Sequence, residues 1–222
     1  MKNIVIIAAA GVGSRLGAGI PKCLVEVGGH AVFEYQLRAF SWADEVRMVV
    51  GYHGDEVVKR VSAFAPQVKF IHNHEYAATN LRQSYYLGAQ GVEGKALFLD
   101  GDTIMGKTAA GVIRRSMEHG EDFITVVKTV SENPIYAGVE QGMVRWFSYE
   151  RVSDYELANA AFMDSRKLEY LNTLFYVQLE QHLPTKAVPI ESLEIDTPED
   201  LRHAERRIAA DSNDYDFWRI RA

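Results

Sequence analysis

The first strand constrains this chain most. From Lys2 to Ala10 the sequence is a nearly unbroken apolar run rich in Ile and Val. A run without polar alternation belongs to a strand covered on both faces, as in the middle of a parallel sheet. A parallel sheet requires crossovers, and the next hundred residues supply them. Apolar residues fall at helical spacing over Ala31–Trp42, and Val46–Val50 is a second strand-like run. Val57–Phe64 reads as a helix ended near Pro66, Val68–Ile71 as a strand, Leu81–Ala89 as a helix and Ala96–Leu99 as a buried strand. These alternations predict an α/β fold with a doubly wound, mostly parallel sheet and right-handed crossovers.

The pattern changes after a helical stretch at Thr108–Glu118 and an apolar strand at Phe123–Val127. Tyr136–Glu140 and Met143–Tyr149 flank Gln141-Gly142, a tight-hairpin signal, so a smaller antiparallel region is expected here. Leu168–Gln181 has apolar residues at helical spacing before Pro184, and Ala187–Ile190 reads as a short strand. Thr197-Pro198-Glu199-Asp200 is a helix start, with Thr197 as N-cap, Pro198 at the first helical position and Asp200 in the capping-box slot. The tail from Asp211 is polar, with Trp218 as an anchor. With 222 residues, 47% of them hydrophobic, and no linker or repeat, residues 1–222 are expected to form one domain.

Charge and cysteine usage narrow the partners. The net charge of −6, from 24 Lys and Arg against 30 Asp and Glu, argues against nucleic acid or an anionic membrane. Any anionic ligand must be met by local cations. Cys23 is the single cysteine, so no internal disulfide forms and a reducing cytosol suits the chain. The apolar start is short and is followed at once by glycines and Arg15, which fits neither a signal peptide nor a spanning helix. A cytoplasmic location is the expectation.

The first strand runs into a connector carrying Gly11, Gly13, Gly17, Gly19, Gly28 and Gly29. Long connectors in compact domains are usually functional, and glycine lets successive backbone N–H groups turn toward an anion. Phosphate is the natural guest. The dinucleotide fingerprint fails because Leu16 stands where its third glycine would be, and the Walker loop fails because Lys22 is followed by Cys23. What remains is GxGxR followed by Lys22 after Pro21. The strand Ala96–Leu99 leads straight into Asp100-Gly101-Asp102, and at the carboxyl edge of an open α/β sheet these acids face the same crevice as the loop. Hard carboxylate oxygens there suit Mg²⁺. The alternative is a pair of acids that merely end a strand.

The stretch AAAGVGSRLGAGIPKCLVEVGG resembles the signature of the nucleotidyltransferases that join a nucleoside triphosphate to a sugar phosphate or a small phosphorylated alcohol, enzymes with a Rossmann-like sheet. The resemblance implies that residues 1–128 form a nucleotide-binding half, 129–195 an acceptor and hairpin region, and 196–222 a C-terminal helix and tail. It places Arg15 on the outer phosphates and Lys22 at the α-phosphorus, with Ala8, Ala10, Gly11 and Gly13 around the nucleotide. It assigns Mg²⁺ to Asp102, with Asp100 beside it. EIDTPEDL, residues 194–201, is similar to the segment by which bacterial cytidylyltransferases supply a second metal-binding aspartate, here Asp196, with Glu194 a weaker partner. TNLRQS, residues 79–84, is similar to their pyrimidine-reading stretch, which implies a base contact from Ser84 and weaker ones from Asn80 or Arg82. A helix with Thr79 as N-cap and Ser84 on its surface is the plainer alternative.

The same resemblance draws the acceptor side. Lys128 would meet an acceptor phosphate, DYELANAAFMD would line the acceptor pocket through Glu156 and Asn159, and Tyr136, Trp146 and Tyr155 would cage a quaternary ammonium. The alternatives are a surface lysine and core aromatics. The seven histidines show no metal-ligand spacing, and Asn73 between His72 and His74 reads as a strand end rather than a site. The implied function is Mg²⁺-dependent transfer of CMP from CTP to a small phosphorylated or phosphonate acceptor such as phosphocholine, with the Tyr136–Tyr149 hairpin available to a homodimer. A sugar-1-phosphate or molybdopterin-type transferase, a glycosyltransferase with an Asp-x-Asp site, and a nucleotide-binding protein without turnover are the rivals.

Overall fold

The computed structural model describes residues 2–218, apart from the side chain of Asn159. In chain order its first half comprises β1 (Ile4–Ala9), the ribbon β2 (Glu26–Val27) and β3 (His30–Ala31), α1 (Val32–Ala39), β4 (Glu45–Val50), α2 (Gly54–Phe64), β5 (Lys69–His72), α3 (Leu81–Ala89) and β6 (Lys95–Asp100). There follow β7 (Thr103–Ile104), α4 (Lys107–Glu118), β8 (Phe123–Lys128), β9 (Tyr136–Glu140), β10 (Met143–Ser148) and β11 (Tyr155–Asp164). Then come α5 (Phe175–Glu180), β12 (Thr185–Pro189), β13 (Leu193–Glu194), α6 (Pro198–Ala210) and α7 (Ser212–Tyr215).

The main sheet has the order β5-β4-β1-β6-β11-β8-β12-β10-β9. All six residues of β1 are buried, and the strand pairs in parallel with β4 on one side and β6 on the other, as its apolar run requires. Its side chains alternate between two cores. Val5 and Ile7 pack with Phe33, Leu37, Val57 and Ile113 from α1, α2 and α4, whereas Ile4 and Ile6 pack with Tyr85, Ala89 and Phe175 from α3 and α5. The sheet is therefore wound on both faces. Chain order reverses between β1 and β6, the switch point at which open α/β sheets form a crevice beyond their strand ends.

Beyond β6 the directions mix. β11 runs antiparallel to both β6 and β8, β8 and β12 are parallel, and β12, β10 and β9 continue antiparallel. The expected hairpin is present, with Gln141 and Gly142 at φ of 51° and 74°, the two left-handed residues of a type I′ turn. The segment Asp154–Asp164, expected to line the acceptor pocket, contains a ten-residue strand that the sequence did not announce, since its Ala-Asn-Ala-Ala centre lacks the β-branched residues that mark strands. The helix expected over Leu168–Gln181 is confined to α5. Arg82 and Asn80 of the neighbouring α3 region draw the preceding residues into an irregular path: Arg82 Nε donates to Glu169 O at 3.1 Å and Asn80 Nδ2 to Thr173 O at 3.0 Å. Trp218 anchors the tail by stacking on His30, ring centroids 3.4 Å apart. Among the described residues no helix is long and apolar enough to cross a membrane.

Candidate active site

Three segments distant in sequence meet at the switch point. The first is the glycine connector leaving β1. Gly13 has φ +65°, and a Cβ there would stand 2.8 Å from Lys22 Cγ, so glycine lets the loop lie against the lysine stem. The second is the Asp100-Gly101-Asp102 turn at the end of β6. A Cβ on Gly101 would lie 2.6 Å from Ala8 O, so only glycine permits this turn to press on β1. Buried Gln36 of α1 fixes the turn from below, its Nε2 donating to Asp100 O at 2.8 Å and Thr103 O at 2.9 Å. The third is Glu194–Asp196. Antiparallel pairing of β13 with β7, the Ile195 N–H donated to Asp102 O at 2.9 Å and the Thr197/Asp200 capping box of α6 hold Asp196 beside Asp102.

Opposite charges meet there. Lys22 Nζ lies 2.6 Å from Asp102 Oδ2 and 2.5 Å from Asp196 Oδ1, and Arg15 Nη1 lies 2.5 Å from Asp196 Oδ2. Burial acts to depress the Lys22 pKa, but the two carboxylates outweigh it and hold the group above its ordinary value, so Lys22 is a stable cation. Burial, then repulsion from Asp102, pushes the Asp100 carboxyl well above the usual carboxylate range, although Tyr85 donates its hydroxyl to Asp100 Oδ1 and opposes the rise. The thiol of Cys23 is buried and pushed up to about 12, which removes it as a nucleophile near neutral pH.

The donor set fits a divalent metal. Asp102, Glu194 and Asp196 each bring a carboxylate oxygen within 4.8 Å of the others. Asp102 Oδ1 is buried without a hydrogen-bond partner, an orphaned acceptor of the kind a cation satisfies. Hard oxygen donors at this spacing match Mg²⁺ better than a softer ion.

A cleft of about 390 Å³ surrounds this cluster. Ala8, Ala10, Gly11, Gly13, Arg15 and Lys22 line it together with Asn80, Ser84, Asp100, Asp102 and Asp196. The structure thus brings together the residues that the sequence placed on nucleotide or metal, with the exception of Arg82. Glu194 also lines the cleft, whereas Arg82 is buried against the segment before α5. Thr79, the first residue of the TNLRQS stretch, lines the cleft too, as does Tyr76, which the sequence does not single out and whose signal is position alone, in the connector between β5 and α3.

The acceptor residues are placed differently. A smaller, mainly apolar cavity of about 120 Å³ shares Asn80, Leu81 and Asp100 with the cleft, and its aromatic walls are Tyr149, Phe175 and Tyr176. Lys128, Glu156 and Tyr136 line neither cavity. Glu156 is buried, accepting the Ser131 hydroxyl at 2.7 Å; Lys128 Nζ lies over the Tyr155 ring at 4.5 Å; Tyr136 is opposite Ser148 in the hairpin and opposite Glu156. Trp146 fits over Gly138 with the Arg151 guanidinium 4.0 Å from its ring centroid, so Tyr136, Trp146 and Tyr155 form no cage around either cavity. The strand still reaches the small cavity, through Leu157 and Ala160. Asn159 belongs to β11, and its side chain lies outside the described residues.

A glycine connector with two cations facing a carboxylate pair, at the switch point of such a sheet, has the groups that a metal-bound polyphosphate would need. Residues 5–155 match the MobA-like NTP transferase domain, and the chain belongs to that family. It is 30% identical over 142 residues to the bifunctional protein GlmU of Streptococcus pyogenes, a match covering 62% of this chain and 30% of that protein. The chain thus spans under a third of the length of such relatives. Among solved structures, the CTP:phosphocholine cytidylyltransferase of Streptococcus pneumoniae superposes with a TM-score of 0.79 at 19% identity, covering 94% of this chain and all of that one. A glucose-1-phosphate thymidylyltransferase assigned in Bacillus anthracis gives 0.78 at 17% identity over 93% and 95% of the two chains. These likenesses concern the fold.

Proposed function

We propose that this chain is a nucleotidyltransferase that moves CMP from CTP to a small phosphorylated or phosphonate acceptor. The observation that carries the reading is the meeting of Lys22 and Arg15 with Asp102 and Asp196 at one point of the crevice, at 2.5–2.6 Å. Cations for a polyphosphate and carboxylates for its metal are what an α-phosphoryl displacement needs. An acceptor phosphate oxygen attacks the α-phosphorus in line, the bond from that phosphorus to the bridging oxygen breaks, and pyrophosphate leaves with the electron pair. A dianionic acceptor is already nucleophilic, so no general base is required, and the buried Cys23 plays no part. Bound at Asp102 and Asp196, Mg²⁺ would supply charge neutralisation to the triphosphate. Lys22 serves the reacting phosphorus, Arg15 the outer phosphates, and the glycine loop shapes the space around them.

CTP is favoured by TNLRQS at 79–84, which lines the cleft through Thr79, Asn80, Leu81 and Ser84, and by EIDTPEDL at 194–201. The likeness in fold to a CTP:phosphocholine cytidylyltransferase agrees with this. The small cavity with Tyr149, Phe175 and Tyr176 suits a compact acceptor head that is apolar-surfaced or quaternary ammonium, since aromatic faces attract such cations. Sugar-1-phosphate nucleotidyl transfer is the second reading, supported by the likeness in fold to a glucose-1-phosphate thymidylyltransferase.

The test is pyrophosphate release with each of four nucleoside triphosphates, Mg²⁺ and a panel of acceptors. Release with CTP and a small phosphorylated alcohol is the expected result. Release only with a sugar 1-phosphate selects the second reading. No release with any pair contradicts both, as for a glycosyltransferase, which consumes a nucleotide sugar, or a binding protein without turnover.

A further inference from the structure

Asn73 follows β5 with only 2% of its surface exposed. Its backbone N–H donates to Val50 O at 2.8 Å, extending the β4–β5 ladder. Its side-chain Oδ1 accepts the Glu75 N–H at 3.1 Å. A backbone N–H can only donate, so this bond fixes which end of the amide is oxygen. Nδ2 therefore faces the cleft side, donating to Thr79 Oγ1 at 2.8 Å and to Ser84 Oγ at 3.2 Å.

The two hydroxyls then differ. Thr79 donates its proton to Glu75 O at 2.9 Å and is committed within the loop. Ser84 receives the Asn73 amide on its oxygen and keeps its own O–H to give. Both residues line the cleft. We propose that Asn73 is a positioning residue that sets the polarity of Ser84, holding its hydroxyl as a donor toward the base of the bound nucleotide. This rests on reading the cleft as a nucleotide site. A donor at that point favours a base edge that presents an acceptor, as N3 of cytosine does, over one that presents N3–H, as uracil does. Asn73 stands at the strand end, as its sequence position implies, and in addition lies behind the wall that would meet the base.

The experiment measures Mg²⁺-dependent binding of CTP, UTP and inorganic tripolyphosphate to the wild type, Asn73→Asp, Ser84→Ala and the double variant. Asn73→Asp keeps the size but replaces the donating NH₂ with an accepting oxygen, to which Ser84 would turn its proton. The CTP-over-UTP preference should fall about tenfold in each single variant, the size of one lost hydrogen bond. Tripolyphosphate affinity should not change, which also reports an intact fold. The double variant should be no worse than either single one, since both remove one interaction. An Asn73→Asp protein that keeps its preference, additive losses, or a wild type indifferent to CTP and UTP would overturn the proposal. If the variants lose the preference as expected while no acceptor releases pyrophosphate, the positioning role stands and the transferase reading falls.

Discussion

The two halves of the main sheet deliver side chains to their cavities in different ways. Across β5, β4, β1 and β6 every pairing is parallel, and the groups lining the large cleft lie mainly in connections that leave carboxyl ends: Gly11 to Lys22 after β1, Tyr76 to Ser84 after β5, Asp100 to Asp102 at β6. From β11 to β9 the directions mix, and the small cavity is walled by residues as scattered as Ile135, Tyr149, Leu157 and Tyr176. A parallel sheet brings consecutive loops to one edge, so a short motif can report a site. A mixed sheet assembles its wall from strand interiors and the ends of distant elements, and no single segment carries the signal.

The largest effects should fall in the parallel half. Lys22→Ala and Asp196→Ala are each expected to fold normally and lose pyrophosphate release by about 10²- to 10³-fold, the cost of one electrostatic donor aimed at a reacting centre. Near-normal turnover in either would break the assignment. Lys22 also gives a readout without turnover. Its ammonium sits between the carboxylates that would hold the metal, so Lys22→Met should bind Mn²⁺ more tightly than wild type when nucleotide is absent, as read by electron paramagnetic resonance. Unchanged or weaker binding would separate the lysine from the metal carboxylates.

Smaller and more selective effects are expected in the mixed half. Tyr176→Ala should raise the acceptor KM about tenfold, the factor that ~1.4 kcal/mol represents, and leave nucleotide affinity alone. Lys128→Ala should change either constant by less than about twofold, as for an exposed side chain outside both cavities. A reversed order would return the acceptor to the residues that the sequence picked.

That contrast explains what could be read in advance. β1, the Gly11–Lys22 loop, Asp102 and the Thr197 cap are local patterns whose meaning survives without neighbours. Asn80 reads in sequence only as a base contact; the cap that the sequence suggests at Thr79 falls on Asn80, which also ties α3 to Thr173. Strand β11 was not legible, because alanines at its centre are made into a strand by β6 and β8 on either side. Gln36 and Tyr149 act with residues far away in sequence, and nothing adjacent to them marks those partners; Asn73 meets Thr79 and Ser84 nearby, but only the folded turn before α3 brings them together.

Two modest stability effects complete the comparison. Asn80→Ala should cost ~1 kcal/mol for the lost cap, read in the urea midpoint. Glu45 on β4 is held down to about 2, chiefly by Lys2 and with help from Arg47 and Lys69. A carboxylate depressed in the folded state stabilises it above its ordinary value near 4.5, and that contribution fades as pH falls toward 2. Because two of the three cations are largely exposed, the effect is expected to stay near ~1 kcal/mol, and Glu45→Gln should flatten this part of the acid limb.

The most direct test of the central claim is to follow the α-phosphate itself. The chain is incubated with Mg²⁺, a phosphorylated small acceptor and CTP labelled at the α-phosphorus, and the products are separated. The account predicts that label passes into the acceptor adduct in step with pyrophosphate release, and that Lys22→Ala slows both together by about 10²- to 10³-fold. Label that stays on the triphosphate across the acceptor panel, or appears as free CMP regardless of acceptor, would contradict it.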